Sequence, residues 1–398
     1  MRASKATLPL LTFSTTAIST SMHSCRTSLA LQYPQCAISY SSMASGSGQS
    51  FTYRLAASFS GKDTYYKPHR DTYTFTTLRP SHKHFNHRKP SSRANSGQDA
   101  FFITSVGGTG TTAFGIADGV GGWQDSGVDP ADFSHGLCHY MSSRAESTDP
   151  AKAADLRPGG LLQDAYEDVV QDPQIHAGGS TACVAVAGTN GSVEVTNLGD
   201  SGFVQLRPGK VHYASEPQTH AFNTPFQLSL IPPEIQAQSR AFGGEMLQDL
   251  PKHAETSHHT VKHGDVLVFA SDGVWDNLSA ADVLDVIGRF MTSFHAWGTN
   301  ENEAQEVQGG KDTNLRTDLL DGLTRDGGVP TKDRTLQAAL AIAVAGEAKM
   351  ASLDKKRDGP FAREVQRHYP NEDWQGGKVD DISVVVAIVV GMGNNRLD

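Results

Sequence analysis

Asp265-Val266-Leu267-Val268-Phe269-Ala270-Ser271-Asp272-Gly273-Val274-Trp275-Asp276-Asn277 is the stretch that decides the fold. Its first half is nearly continuously apolar, the mark of a strand buried on both faces. The strand then runs into a tight polar turn, so Asp272 sits at a rigid strand end with a glycine beside it. Two other places repeat the arrangement. Ala117-Asp118-Gly119-Val120-Gly121-Gly122-Trp123 follows a β-prone run at 111–117. Gly376-Gly377-Lys378-Val379-Asp380-Asp381-Ile382-Ser383 leads into the apolar run 382–390. Asp99 obeys the same logic at the opposite end of its strand, just before the run 100–106. Carboxylates held this way and brought together would repel one another unless a cation neutralised them. Oxygen-only ligands without His or Cys favour Mg²⁺ or Mn²⁺.

Outward from these turns the pattern is mixed. Residues 100–106 and 111–117 read as a hairpin around Gly107-Gly108-Thr109-Gly110. That glycine cluster lacks the Gly-Lys-Ser/Thr ending and the following helix of a phosphate-binding loop. Helical spacing is seen at 130–143 and 161–170, and short strands at 181–187, 192–197 and 203–206. A helix is expected at 279–290 with Ser279 as N-cap, and an Ala-rich helix at 336–350. Residues 298–331 are polar and read as a surface insertion. Two or more β-meanders with helices between and after them point to an α+β sandwich. Trp123 and Trp275 read as core anchors.

The 398 residues carry a net charge of −9, which argues against a general nucleic-acid binder. No run approaches the ~18 consecutive apolar residues of a membrane-spanning helix. Cys25, Cys36, Cys138 and Cys183 form no CxxC pair, so a disulfide framework is not expected. A calcium-buffering role fails because no twelve-residue ligand loop with a terminal Glu is present.

From Met1 to Lys62 there is no Asp or Glu, although an even spread of the 43 acidic residues would put about seven there. Arg2, Lys5, Arg26, Arg54 and Lys62 stand among many Ser, Thr and Ala. That is the composition of a mitochondrial transit peptide, here assigned to 1–62. A secretory h-region is broken by Pro9, Thr12, Ser14, Thr15 and Thr16, and a merely disordered tail does not explain the missing acids. Residues 63–96 are read as a flexible linker, with His82, His84 and His87 solvated in it, and 97–393 as the folded domain.

Six motifs in order, Gln98-Asp99-Ala100, Asp118-Gly119-Val120-Gly121-Gly122, Gly179-Ser180-Thr181-Ala182, Asn197-Leu198-Gly199-Asp200-Ser201-Gly202, Ser271-Asp272-Gly273-Val274-Trp275-Asp276-Asn277 and Asp380-Asp381-Ile382-Ser383, cover about three hundred residues. Together they resemble the metal-dependent type 2C serine/threonine protein phosphatases. Gly121-Gly122-Trp123 and Phe222-Asn223-Thr224-Pro225-Phe226-Gln227-Leu228-Ser229 look like the branch that works in mitochondria.

The resemblance implies a four-layer α-β-β-α sandwich with two antiparallel sheets and a dinuclear metal cleft holding two Mn²⁺ or Mg²⁺ ions. Asp118 would bridge both ions, the Gly119 carbonyl would bind one, and Asp272 and Asp380 would hold the other. Asp99 would orient metal-activated water for attack on phosphoserine or phosphothreonine in proteins of the mitochondrial matrix. Asp276 and Asp381 would flank the ligands or serve a third, weaker metal position, and Gly199-Asp200-Ser201 is read as a structural turn. Arg93, or alternatively Arg88, stands where the family binds substrate phosphate.

Two positions depart from the family pattern. Gln98 replaces an acidic residue, which lowers the expected affinity for the second metal, and Val120 replaces a frequent histidine. Gln98 sustains the alternative reading, a catalytically weak pseudophosphatase that binds phosphoproteins. The residues 298–331 and Gly359-Pro360-Phe361 are expected to shape the cleft rim and select substrates. A monomer is the expected state, with phosphorylated proteins as partners.

Overall fold

The computed structural model describes residues 50–75, 89–241, 246–298, 323–324 and 335–392. In chain order, β1 (Ser50–Ser60), β2 (Thr72–Thr74), β3 (Asp99–Ser105) and β4 (Thr112–Asp118) precede α1 (Pro130–Glu146) and α2 (Pro158–Gln171). There follow β5 (Gly178–Ser180), β6 (Ala182–Ala187), β7 (Ser192–Leu198), β8 (Gly202–Arg207) and β9 (Lys210–Ala214). The short β10 (Thr219–Ala221), β11 (Thr224–Pro225) and β12 (Leu228–Leu230) lead to α3 (Pro233–Ala241), β13 (Glu255–Thr260) and β14 (Val266–Ala270). The chain continues through α4 (Asp272–Trp275), α5 (Ala280–Ser293), α6 (Leu336–Leu353), α7 (Pro360–His368) and β15 (Ile382–Met392).

Two antiparallel sheets carry the fold, one ordered β2-β1-β15-β14-β8-β9 and the other β13-β7-β6-β4-β3. The period of two along β14 assigns its side chains. Leu267 and Phe269 point between the sheets, where they meet Leu55, Phe59, Phe101, Phe114, Ile116 and Val385. Val266, Val268 and Ala270 point to the other face and pack with Val283, Ile287, Leu340 and Val344 of α5 and α6. On the second sheet, Ala100, Phe102, Ala182 and Val184 pack against Phe133, Leu137 and Met141 of α1 and Leu161 and Leu162 of α2. Helices outside and sheets inside make the α-β-β-α sandwich that the sequence led us to expect. Burying both faces of β14 explains why it is apolar throughout.

Ser279 caps α5 by accepting from the Asp282 N–H, and the Asp282 carboxylate accepts from the Ser279 N–H in return. By length and mean hydropathy α6 is apolar enough to cross a membrane, although Gln337, Glu347 and Lys349 interrupt its apolar run. Its buried Leu340, Ala341, Val344 and Ala345 lie on the sheet, so its apolarity serves the core. Cys138 and Cys183 are buried free thiols. Cys25, Cys36, His82, His84, His87, Arg88 and nearly all of the polar insertion lie outside the described residues.

The domain boundaries need correction. Ser50–Ser60, assigned from composition to a transit peptide, is a core strand paired with β15 from Ser50↔Met392 to Ser60↔Ile382. Leu55, Ala56, Ala57 and Phe59 are fully or almost fully buried. An import segment is cleaved away, whereas this strand bridges β2 and β15, so the folded domain begins by Ser50. Nor is 63–96 simply a linker. Thr72–Thr74 pairs with β1, and Ala94 and Ser96 are buried against the domain.

Candidate active site

The antiparallel registers bring the aspartates together. β14 ends at Ala270, which pairs with Gly202 at the start of β8 and with Val384 near the start of β15. The turn Ser271-Asp272 therefore lies beside Asp200-Ser201 and Asp380-Asp381. In the facing sheet, Asp99 at the start of β3 pairs with Asp118 at the end of β4. Each sheet thus delivers its carboxylates to one end of the sandwich.

Local motifs fix the backbone there. The Asp118 carbonyl accepts from Thr181 N at 2.9 Å and Ser180 Oγ at 2.8 Å, while Asp118 N donates to Thr181 Oγ1 at 3.2 Å. Thr181 Oγ1 also bonds Ser201 Oγ at 2.8 Å. The Gly179-Ser180-Thr181 and Gly199-Asp200-Ser201 motifs are therefore struts for the metal-ligand candidate Asp118. Gly119 must be glycine, because a Cβ would stand 2.8 Å from both Gln98 O and Pro130 O.

Asp99 is held by Ser271 Oγ, which donates to Oδ2 at 2.6 Å. Asp381 accepts from Gln98 N at 2.8 Å and Lys62 N at 2.6 Å. Asp381 is thus a brace between β15 and two neighbouring loops. Gln98 is buried, and its carbonyl accepts from Ser134 Oγ at 2.5 Å and Gly119 N at 3.2 Å.

The crowding shows in the protonation of the cluster. Burial, then the charges of Asp272, Asp99, Asp380 and Asp200, push Asp118 well above the usual carboxylate range. Burial and Asp381 do the same to Asp99, and the Ser271 hydrogen bond opposes them. Burial, followed by the charge of Asp272, pushes Asp200 to about 8 and Asp276 to about 7. Asp380 and Asp381 are raised, chiefly by burial. For Asp272 burial also acts upward, but Lys378 overcomes it and leaves the carboxyl below its ordinary value.

Lys378 was not singled out in the sequence. Its Nζ lies 2.6 Å from Asp272 Oδ2, 2.6 Å from Asp276 Oδ2 and 3.2 Å from Asp380 Oδ2. Asp200 was read only as part of a structural turn: Ser201 is a strut there, and the buried Asp200 carboxyl also feels the charges of Asp272, Asp276 and Lys378. The signal for both was proximity in sequence to motif residues, and only the register shows which way they face.

The donor set suits hard divalent cations, being all oxygen. Asp99 Oδ1 and Asp200 Oδ1 are buried with no hydrogen-bond partner among the described residues, which suits oxygens that face water held by an ion. Among the described residues no three carboxyl, imidazole or thiol groups close into a ready coordination sphere. Three carboxylates close on an ammonium instead.

Arg93 lies beside a polar cavity of about 370 Å³ lined by Lys62, Asn95, Gln98, Gln124 and Asp381. Its guanidinium bonds Asp132 Oδ1 at 2.6 Å and is 3.5 Å from Asp129 Oδ2. Phe361 of α7 is tilted against Phe222 and meets Trp374 edge-on, and it lies under Lys378 Nζ, which is 5.5 Å from its centroid. Trp123 is buried, and Trp275 Nε1 donates to Ala270 O at 2.8 Å. Both are anchors beside the site, as expected.

Residues 88–309, more than half the chain, match the protein phosphatase 2C family. The chain belongs to that family. It is a protein serine/threonine phosphatase, a phosphomonoester hydrolase. Relatives in this phosphatase family include "Protein phosphatase PTC7 homolog" of Danio rerio, 33% identical over 294 residues, covering 74% of this chain and 81% of the relative. "Protein phosphatase 2C homolog 7, mitochondrial" of Saccharomyces cerevisiae is 31% identical over 343 residues, covering 85% and 83%. Among solved structures, the photosystem II phosphatase PBCP shares the phosphatase 2C fold with a TM-score of 0.51 at 24% identity, over 73% of this chain and 91% of that one.

Proposed function

We propose that this phosphatase removes phosphate from serine and threonine side chains of mitochondrial proteins with the help of two divalent cations, Mn²⁺ or Mg²⁺. The observation that carries the proposal is the meeting of Asp99 and Asp118 from one sheet with Asp272 and Asp380 from the other. Asp118, the Gly119 carbonyl, Asp272 and Asp380 would hold the ions, and Gln98 stands at the doubtful position for the second. Bound there, such cations polarise water and offset charge on the phosphoryl oxygens.

The chain's own residues supply the rest. Asp99, oriented by Ser271, accepts a hydrogen bond from the attacking water and aligns it. Arg93 offers its guanidinium to the substrate phosphate, exchanging part of its pairing with Asp129 and Asp132 for the more highly charged ester. Phe222, Phe361 and Trp374 form an aromatic rim against which a peptide flank can lie.

A mitochondrial address rests on the acid-free segment before Ser50 and on the yeast relative whose name states that location. The import segment then ends ahead of β1, and the matrix is the expected compartment. The protein is read as a monomer.

The test follows hydrolysis of p-nitrophenyl phosphate and a phosphothreonine peptide by the full chain in Mn²⁺, Mg²⁺ or EDTA. Turnover should require the metal and fall by at least about a hundredfold in Asp272→Ala. The Gln98 substitution favours one competing reading, a phosphoprotein-binding pseudophosphatase. Wild type inert at millimolar Mn²⁺ beside an active Gln98→Glu would establish that reading instead.

A further inference from the structure

Three carboxylates meet at the ammonium of Lys378, and two of them, Asp272 and Asp380, are assigned above to the metals. The ammonium is not a chance visitor. The buried Asn277 amide clamps the backbone that carries it: Nδ2 donates to Lys378 O at 2.8 Å, and Oδ1 accepts from Lys378 N at 3.0 Å. Asn277 Nδ2 also donates to Gly273 O at 2.9 Å, tying this loop to the Asp272 turn. Gly377 lies so close to Ala351 O of α6 that a Cβ would overlap it. Gly376 has a φ of 114°, a conformation that favours glycine. The Gly376-Gly377 pair lets the loop pass under α6 and aims the next residue at the cluster. The Lys378 side chain is only 19% exposed, with its Nζ over the Phe361 ring.

We propose that Lys378 is a tethered counter-cation that holds Asp272, Asp276 and Asp380 together in the metal-free enzyme and must withdraw as the metals load. Such a lysine solves a folding problem. Packed carboxylates with no cation would repel one another and leave buried charge uncompensated. A covalently attached ammonium supplies the missing charge before any ion is captured. Its cost is competition, because an ammonium 2.6 Å from Asp272 Oδ2 repels an arriving divalent ion and occupies lone pairs that the ion would use. Metal affinity is then set partly by how readily one side chain leaves. A lysine suits that role better than an arginine, being a compact charge on a flexible stem.

The inference rests on Asp272 and Asp380 being metal ligands, and its test separates the two ideas. Mn²⁺ binding to the full chain is measured by calorimetry for wild type, Lys378→Met and Lys378→Arg, alongside melting of the EDTA-treated proteins. Lys378→Met should bind Mn²⁺ at least about tenfold more tightly and melt lower than wild type without metal. Lys378→Arg should restore both values towards wild type. Equal or weaker Mn²⁺ binding by Lys378→Met overturns the displacement, and wild type that binds no Mn²⁺ overturns the ligand assignment along with it. If Lys378→Met is recovered only with Mn²⁺ present, release of that ion to excess EDTA reads the same quantity. Slower release than wild type is expected, and equal or faster release overturns the proposal.

Discussion

The backbone N–H of Lys62 donates to Asp381 Oδ1 at 2.6 Å, joining residues 319 positions apart. The bond exists because β1 ends at Ser60 opposite Ile382, where β15 begins. Lys349 reinforces it from α6, donating to the carbonyls of Gly61 and Lys62 at 3.0 Å each. The segment most like a targeting peptide by composition therefore ends in a wall of the active site.

Truncation should reveal this directly. A chain beginning near residue 48 is expected to be soluble and to melt cooperatively. One beginning at residue 63 loses β1, exposes an edge of β15 and should fail to fold. Circular dichroism and size-exclusion elution of the two proteins check the expectation, and a stable protein lacking β1 would refute it.

Ser271 is buried, donates to Asp99 Oδ2 at 2.6 Å and accepts from Ser383 N at 3.1 Å. Ser271→Ala removes both bonds and frees the Asp99 carboxyl to turn. A stability loss of about 1–3 kcal/mol is expected from the unpaired buried groups. Loss of orientation should lower metal-supported kcat/KM about 10–100-fold. Denaturant melts and steady-state kinetics on one preparation measure both effects.

Gly97 has a φ of 70°, and a Cβ there would overlap the Asp381 carboxylate. Gly97→Ala should cost at least about 1 kcal/mol from backbone strain and overlap. Because Asp381 braces Lys62 and Gln98, activity should fall along with stability. Gly160→Ala is the control, since a Cβ there meets nothing within 4 Å. Equal melting temperatures for the two variants would contradict the prediction.

His259 lies edge-on to Phe203 and Tyr213, and burial, followed by the neighbouring His258 and His212, lowers its pKa from 6.5. The folded protein keeps this ring neutral to lower pH than the unfolded chain does. Below 6.5 the unfolded chain therefore binds more protons, and stability falls as pH drops through that window. His259→Phe removes this titration. Its melting temperature should decline less steeply than that of wild type between about pH 7 and 5, and parallel profiles would exclude the assignment.

Much of the protein was legible from local pattern. The β3–β4 hairpin, the doubly buried β14, the capping box at Ser279 and the aspartates at strand ends all depend on neighbours within a few residues. The ordered motifs were enough to imply the sandwich and the family. β1 had a readable signal too, the alternation of Phe51, Tyr53, Leu55, Ala57 and Phe59, but the absence of acids over the preceding residues outweighed it.

Only the tertiary structure decided what depends on register. Asp200 and Lys378 look like turn residues in sequence. They become parts of one charged cluster because β8, β14 and β15 start or end at the same edge of their sheet. Composition and periodicity report which face of an element is apolar. They do not report which strand ends meet, and charges act across that gap, through space rather than along the chain.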